Sequence, residues 1–328
     1  MKENAIARPV TRRRLLAAGV AGGAALLVGC GSGAQGETGW TFVDDRHRTV
    51  RLKRRPTRIV AYTSAAAALH DWGVTPVGVF GDDPHEDPAL ARFPWNDAQI
   101  VGSVYGEIDS EALQALNPEL IVSRWYPPPA DSPVFGFKDL KQEQTVGALV
   151  PIVAMNGHSI STRQIARFGD LARALGASPA SGTIERRRAA LAGAAANLSR
   201  VARRESSLRI IAVSADQNTF YVSKLYGDLE FYARRGVPLV SATSSDPYWD
   251  SLPWKEAGKY AADGILYDAR SNVLPLAAAK GIPTFAALPA VRANQIAKWQ
   301  ADPPPSYQWS STTTNDLARS IAGWHKVT

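Results

Sequence analysis

The chain has 328 residues, 45% hydrophobic and 20% charged; that is ordinary for a packed globular protein and excludes a disordered or collagen-like one, and the length suits two domains of about 100–200 residues. Of the formal charge of +7, Lys2, Arg8, Arg12, Arg13 and Arg14 against Glu3 carry +4, leaving +3 for the rest, which argues against a nucleic-acid partner. The densest basic run, residues 46–58, opens the fold and reads as a solvated hairpin face, and one cysteine, Cys30, excludes an internal disulfide.

Three arginines, Arg12 to Arg14, precede an apolar run at residues 15–28. Its length fits the core of an export signal and falls short of the roughly 20 residues that a membrane-spanning helix needs. Residues 1–29 therefore read as a signal peptide. Thr11-Arg12-Arg13-Arg14-Leu15-Leu16 resembles a twin-arginine signal, although arginines before an apolar core serve the general secretion route too. Leu27-Val28-Gly29-Cys30 resembles a bacterial lipobox, which implies lipidation of Cys30 and cleavage before it. Residues 30–39 then form a lipidated cysteine and a flexible tether, with no His or Asp to activate the sulfur as a nucleophile.

From Trp40 to Leu52 the pattern is that of a β-hairpin, Thr41-Phe42-Val43 and Thr49-Val50-Arg51-Leu52 flanking a charged turn. Arg58-Ile59-Val60-Ala61-Tyr62 is a buried strand, Thr63-Ser64 cap a helix through Leu69 and Trp72, and Val77-Gly78-Val79-Phe80 is a second strand. Strand, helix and strand at that spacing imply parallel pairing through a crossover helix. Residues 81–99 are polar and broken by Pro84, Pro88 and Pro94; Asp82, Asp83, His85, Glu86 and Asp87 follow no metal-ligand spacing, so the stretch reads as a solvated loop. A helix capped at Asp109 or Ser110 ends before Pro118, and the strand Leu120-Ile121-Val122-Ser123 delivers Arg124, Trp125 and Tyr126. Open α/β sheets bind ligands beyond the carboxyl ends of their strands, which places these three and Tyr62 on a binding edge. The strand at residues 150–155 closes this first lobe.

Between residues 161 and 205 the period changes. Ile165, Phe168, Leu171, Ala172 and Leu175 recur at three- and four-residue steps, capped by Thr162 and stopped at Gly176. A second helix follows, with Ile184, Arg188, Leu191, Ala195, Leu198 and Ala202 on one stripe and Arg186, Arg187, Asn197, Arg200 and Arg203 outward. Such a pair is a stiff strut. Beyond it the earlier grammar returns: strands at residues 208–213, 238–240, 263–267 and 283–285, a helix at 226–235 and a last helix at 314–324. Asn117-Pro118-Glu119-Leu120-Ile121-Val122 has a counterpart in Ala261-Ala262-Asp263-Gly264-Ile265-Leu266, implying two similar lobes across a cleft.

In this order and spacing the chain resembles the helix-hinged substrate-binding lipoproteins of ABC importers, the class that takes ferric siderophores, haem or cobalamin. The likeness is carried by the lipobox, Phe42-Val43-Asp44-Asp45, Pro56-x-Arg58-Ile59-Val60, Val101-Gly102, Glu111-Ala112-Leu113-x-x-Leu116-Asn117-Pro118-Glu119, Pro151-Ile152-Val153, the strut, and Leu288-Pro289-Ala290-Val291-Arg292-Ala293. Ferric-hydroxamate binders resemble it best, since several of their aromatic ligand positions fall on aromatics. The resemblance implies an α/β fold of two Rossmann-like lobes joined by a rigid helical linker, with the ligand cleft between them. The lobes are residues 40–158 and 206–328, and the linker is 159–205.

The resemblance further implies a non-catalytic, exported monomer anchored by lipid to the outer face of the cytoplasmic membrane. It would bind a ferric siderophore and hand it to an ABC permease and its ATPase. No cofactor or protein metal ligand is implied, because the chelator holds the iron. Chain position puts Tyr62, Tyr105, Arg124, Trp125 and Tyr126 on the first lobe's face of the cleft. Tyr221, Tyr248, Trp249, Tyr307 and Trp309 fall on the second. Arg124, Tyr126, Trp249 and Trp309 stand foremost, because polar or proline-rich loops surround them. Permease docking in the family uses one acid per lobe. Glu111, eight residues before Glu119, matches; eight before Asp263 stands Lys255, with Glu256 beside it as the substitute. Haem or cobalamin cargo, ligated by Tyr or His, is the alternative within the fold. A secreted hydrolase is the alternative outside it, but His47, His70, His85, His158 and His325 form no His-x-x-x-His and no Gly-x-Ser-x-Gly is present.

Overall fold

The computed structural model describes residues 39–95, 97–127, 132–180 and 182–328; the signal peptide and Cys30 lie outside them. An antiparallel hairpin comes first, β1 (Trp40–Val43) on β2 (Thr49–Leu52). Its charged turn is tied by the Asp44 carboxylate, which accepts the backbone N–H of Arg46 and of Arg48 at 3.0 Å each.

The first sheet uses β3 (Ile59–Tyr62), β4 (Gly78–Phe80), β5 (Gln99–Ile100), β6 (Leu120–Trp125) and β7 (Ile152–Asn156), all parallel, in the order β5-β4-β3-β6-β7. Helices α1 (Thr63–Asp71), α2 (Ser110–Ala115) and α3 (Leu140–Leu149) lie between its strands. Every residue of β3 is buried, as expected of a parallel strand covered on both faces. The strut follows as α4 (Ser161–Ala174) and α5 (Thr183–Arg204).

The second sheet is built from β8 (Ile210–Ala215), β9 (Thr219–Ser223), β10 (Trp249–Pro253), β11 (Gly264–Asp268) and β12 (Ile296–Trp299), with α6 (Gly227–Ala233) after β9. A 3₁₀ turn spans Trp254–Lys259; the short helices α7 (Leu276–Ala279), α8 (Pro283–Ala286) and α9 (Pro289–Arg292) precede β12, and α10 (Tyr307–Ala322) ends the fold. Its order, β10-β9-β8-β11-β12, repeats that of the first sheet position for position, except that β9 runs antiparallel to both its neighbours, β8 and β10. The repeat extends to a side chain. Glu119, just before β6, accepts the N–H groups of Thr57 and Arg58 at 2.7 and 3.1 Å, at the entry to β3. Asp263, just before β11, accepts the N–H of Arg209 at 2.8 Å, at the entry to β8.

Several local expectations are corrected. Pro283-Thr284-Phe285 is not a strand but the first turn of α8, where Pro at the first helical position costs no hydrogen bond. Residues 238–240 make only a single bridge, Leu239 to Ile210. Neither Thr63 nor Thr162 caps a helix: α1 and α4 start at Thr63 and Ser161 without side-chain caps. Helix α10 begins at Tyr307, capped by Ser306, whose Oγ accepts the Trp309 N–H at 3.2 Å. On α5 two arginines change places. Arg187 turns inward to Asp71 at 3.4 Å, and Arg188 is exposed.

One continuous apolar core joins the first sheet to the strut and to one face of the second sheet, passing through Phe168, Leu171, Leu191 and Leu198 to Leu266 and Leu317. A separate core, centred on Phe220 and Phe285, covers the other face of the second sheet. The α4–α1 contact is close enough that a Cβ on Gly169 would stand 2.5 Å from the Trp72 ring. The strut is thus welded to both lobes by shared packing.

Candidate ligand cleft

Two strand ends supply the centre of the site. The end of β6 delivers Arg124 and Tyr126, and the chain leaving β12 delivers Ala301 and Asp302. Loops complete the walls. Residues 132–138 are fixed by the Phe135 N–H donating to the Arg124 carbonyl at 2.8 Å and by the Ser123 hydroxyl donating to the Phe135 carbonyl at 2.5 Å. Gly136 has a φ of 89° there, and a Cβ on it would stand 2.7 Å from both Phe80 and Tyr62, so only glycine lets this loop lie so close.

The result is a cavity of about 340 Å³ with Tyr105, Tyr126 and Phe135 on the first lobe's side and Tyr226, Tyr248, Trp249 and Arg270 on the second's. Its rings interlock edge to face. Phe135 lies 5.1 Å from Tyr105 and 5.4 Å from Tyr126, and Tyr126 lies 5.7 Å from Tyr248 across the cleft.

Arg124 lies behind the lining, against Asp302, and is only 2% exposed. Its Nη2 donates to Gln164 of α4 at 2.8 Å, its Nη1 to the Pro303 carbonyl at 3.1 Å, and it pairs with Asp302. The guanidinium sits 5.6 Å from the centre of the Tyr126 ring, and the Tyr126 hydroxyl also donates to Asp302. Burial disfavours the charge on Arg124, but Asp302 and the surrounding phenols of Tyr126, Tyr62 and Tyr226 together outweigh it, and its pKa is raised. Burial raises Asp302, with Arg124 opposing, and pushes the Tyr126 phenol well above its ordinary value, so it stays a donor. Arg270, paired with Asp268 at 2.7 Å, adds a second fixed cation at the rim. Stiff aromatic faces above buried donors suit a bulky ligand with an apolar shell and anionic oxygens.

Of the ten positions expected at the cleft, Tyr105, Tyr126, Tyr248 and Trp249 line the cavity and Arg124 lies beneath it. Tyr62 supports the wall from behind, buried, edge-on to Phe135 at 5.1 Å and donating to Asp82 at 2.5 Å. Trp125 packs on the core. Tyr221 stands outside Trp249 and bonds Asp216 at 2.7 Å. Tyr307 and Trp309 are not brought to this cavity. The first packs on Trp72, 6.0 Å between ring centres, and the second lies under Arg92 at 5.2 Å, beside smaller cavities. Sequence reasoning missed Phe135, Tyr226, Arg270 and Asp302. Only the last carried a signal, as the residue before Pro303-Pro304-Pro305 at a strand end. Glu111 is the exposed second residue of α2; Lys255 and Glu256 are the exposed second and third of the 3₁₀ turn, the matching place in the second lobe. Among the described residues no three of His, Cys, Asp and Glu group closely enough to hold a metal ion.

Two like sheets on a welded helical strut, with an aromatic cleft between them, define a two-lobed, helix-hinged binding protein. Comparison with solved structures gives the family. The chain is similar to DesE, a ferric-siderophore receptor protein from Streptomyces coelicolor, at 30% identity over 88% of this chain and 100% of that one, with a TM-score of 0.81. It belongs to the helix-hinged family of siderophore-binding proteins. A siderophore periplasmic binding protein from the fuscachelin gene cluster of Thermobifida fusca (18% identity, 82% and 97% of the two chains, TM-score 0.61) has the same fold. So does the FhuD protein from S. pseudintermedius (16%, 87% and 98%, TM-score 0.61). No protein-family model matches the chain and no curated protein does.

Proposed function

We propose that this protein binds a ferric siderophore, of the hydroxamate class, in the cleft between its lobes and delivers it to an ABC importer without catalysing a reaction. The observation that carries this reading is Arg124, a buried guanidinium under a wall of Tyr105, Phe135, Tyr126, Tyr248 and Trp249. Arg270 on the cavity lining, and the Arg124 fork once ligand oxygens take the places of Asp302 and the Pro303 carbonyl, donate to the anionic oxygens around a chelated iron while the rings cover the organic shell. The likeness to a ferric-siderophore receptor protein supports the cargo class. The iron belongs to the ligand.

The remaining assignments complete the route. Residues 1–29 direct export, Cys30 carries the lipid, and residues 30–39 tether the lobes, 40–158 and 206–328 on either side of the linker 159–205, outside the cytoplasmic membrane. No helix among the described residues is long and apolar enough to cross a membrane. Glu111 and Glu256, exposed at matching places on the two lobes, dock a single copy onto the permease and its ATPase.

The test is titration of the purified chain with ferric hydroxamate siderophores, followed by tryptophan fluorescence, since Trp249 lines the cavity. Saturable quenching at micromolar or lower concentration is expected; none with any siderophore overturns the reading. A Soret shift with haemin in place of quenching would select the haem alternative.

A further inference from the structure

Charge is distributed unevenly along this chain. Residues 161–205 hold nine arginines against three acids, a balance of +6, while the whole chain after residue 29 carries only +3. The two lobes together are therefore acidic, and the strut alone is strongly basic. Cleft chemistry does not account for this, since of these arginines none lines the cavity.

The placement of the arginines matters more than their number. With Leu191, Leu198 and Ala202 buried, the opposite face of α5 presents Arg186, Arg200, Arg203 and Arg204, all exposed. None of the four has a carboxylate within 4.0 Å among the described residues, although thirteen ion pairs form elsewhere. Between Arg186 and Arg200 the same face carries Ala189, Ala192, Gly193 and Ala196, and nothing lies within 4 Å of a Cβ placed on Gly193. The helix, about 33 Å long at 1.5 Å per residue, thus offers a flat surface with cations at its two ends. More cations extend each end. Arg55 lies against Gly176 at the turn before α5, and exposed Arg235 precedes Gly236, which borders Ala202.

The origin of the chain points at the same surface. The first strand begins at Trp40, whose Nε1 donates to the carbonyl of Ala174, the last residue of α4, at 2.8 Å. The first described strand therefore starts beside the α4–α5 turn. Cys30 is ten residues earlier, a span of at most about 35 Å.

We propose that the exposed arginine face of α5 is a docking surface for the anionic lipid headgroups of the membrane to which the protein is tethered. Each arginine near an anionic leaflet adds to the attraction, and the tether holds the surface within reach. Strut-down contact is a resting pose distinct from docking through Glu111 and Glu256, which lie on the lobes. The inference rests on the lipid-anchor reading for the orientation alone.

The experiment floats residues 31–328, which lack the cysteine, with vesicles. That part holds every described residue, and the whole of DesE, a protein with a crystal structure of its own, aligns within 88% of the chain. Vesicles of phosphatidylcholine, with or without about 30% phosphatidylglycerol, are used at about 50 and about 500 mM salt. Flotation with the anionic vesicles at low salt only is expected. The variant R186Q/R200Q/R203Q/R204Q should bind at least about tenfold more weakly. The variant K141Q/K280Q/R292Q/K326Q, which removes equal charge from the lobes, should bind within about twofold of the parent. Failure to float with anionic vesicles, equal loss in the two variants, or tighter binding to duplex DNA than to anionic vesicles would overturn the proposal. The assay uses neither siderophore nor lipid anchor, so its failure leaves those readings to their own tests.

Discussion

Arg124 and Asp302 set the chemistry of the cleft, and a third residue, Asp228, sets how the stability of the fold responds to pH. Lysine at 124 would keep the charge but lose the planar fork that reaches Gln164 and the Pro303 carbonyl together. Arg124→Lys is therefore expected to fold and to bind ferric hydroxamates at least about tenfold more weakly, a loss of about 1.4 kcal/mol or more, measured by fluorescence titration. Asp228 borders two cavities, and its carboxylate accepts the Trp299 Nε1–H at 2.9 Å. Burial pushes its pKa up to about 7 from 3.8, with the Trp299 bond opposing. The folded state therefore holds a proton that the unfolded chain releases near pH 4, so stability falls as pH rises from about 4 to about 7, by at most about 4 kcal/mol. Asp228→Asn keeps an acceptor for Trp299 and has nothing to titrate. Urea denaturation should show it gaining about 3 kcal/mol relative to the parent between pH 5 and pH 8; parallel pH profiles would sink the assignment. At this scale the sequence was half legible. Arg124, Tyr126 and Trp249 stood out because they sit at strand ends among loop residues, whereas Phe135 and Tyr226 reach the cleft through loop conformations that no periodicity encodes.

Among the elements, the strut was the most legible, because a 3.6-residue period sustained over two helices has few other readings. Its inner residues Ile165, Phe168, Leu171, Ile184, Leu191 and Leu198 are all buried as the pattern requires. The parallel strands of the first sheet were legible for a related reason, since strands covered on both faces are short continuous apolar runs. The antiparallel pair β9 and β10 was not read as strands, because Thr219–Ser223 and Trp249–Pro253 mix polar and aromatic residues in runs of five. The short α8 was misread because Pro-Thr-Phe has strand-like composition, and only its place after a turn makes it helical. What the pattern cannot display is closeness of approach. Gly169 looks like a flaw in α4, costing about 1 kcal/mol against alanine by propensity. Its missing side chain is what admits the Trp72 ring. Gly169→Ala should therefore destabilise the fold by about 1–3 kcal/mol in spite of its better helix propensity, and a thermal melt with an unchanged or raised midpoint would show that the ring moves aside freely.

For the whole molecule, the question is how far the lobes can move. The sheets repeat one strand order on either side of the strut, and a single apolar core runs through the strut into both. Opening the cleft widely would expose that core. Polar bonds cross the cleft as well: the Tyr248 hydroxyl donates to the Pro127 carbonyl at 2.5 Å, Gln300 donates to Asp87 at 3.1 Å, and Asp302 receives both Arg124 and Tyr126. These polar contacts can exchange for water or ligand at little net cost, since a typical hydrogen bond contributes only about 0.5–1.5 kcal/mol. Shared packing cannot. Motion is thus confined to side chains and loops at the rim, in contrast to proteins whose lobes swing on strands. A radius of gyration of about 19 Å is expected for a folded unit of this size. By small-angle scattering it should change by less than about 1 Å when a ferric siderophore binds, while the Trp249 fluorescence changes fully. A contraction of several ångströms on binding would mean that the strut bends, and that its apolar seam with Leu266 and Leu317 opens in the unliganded protein.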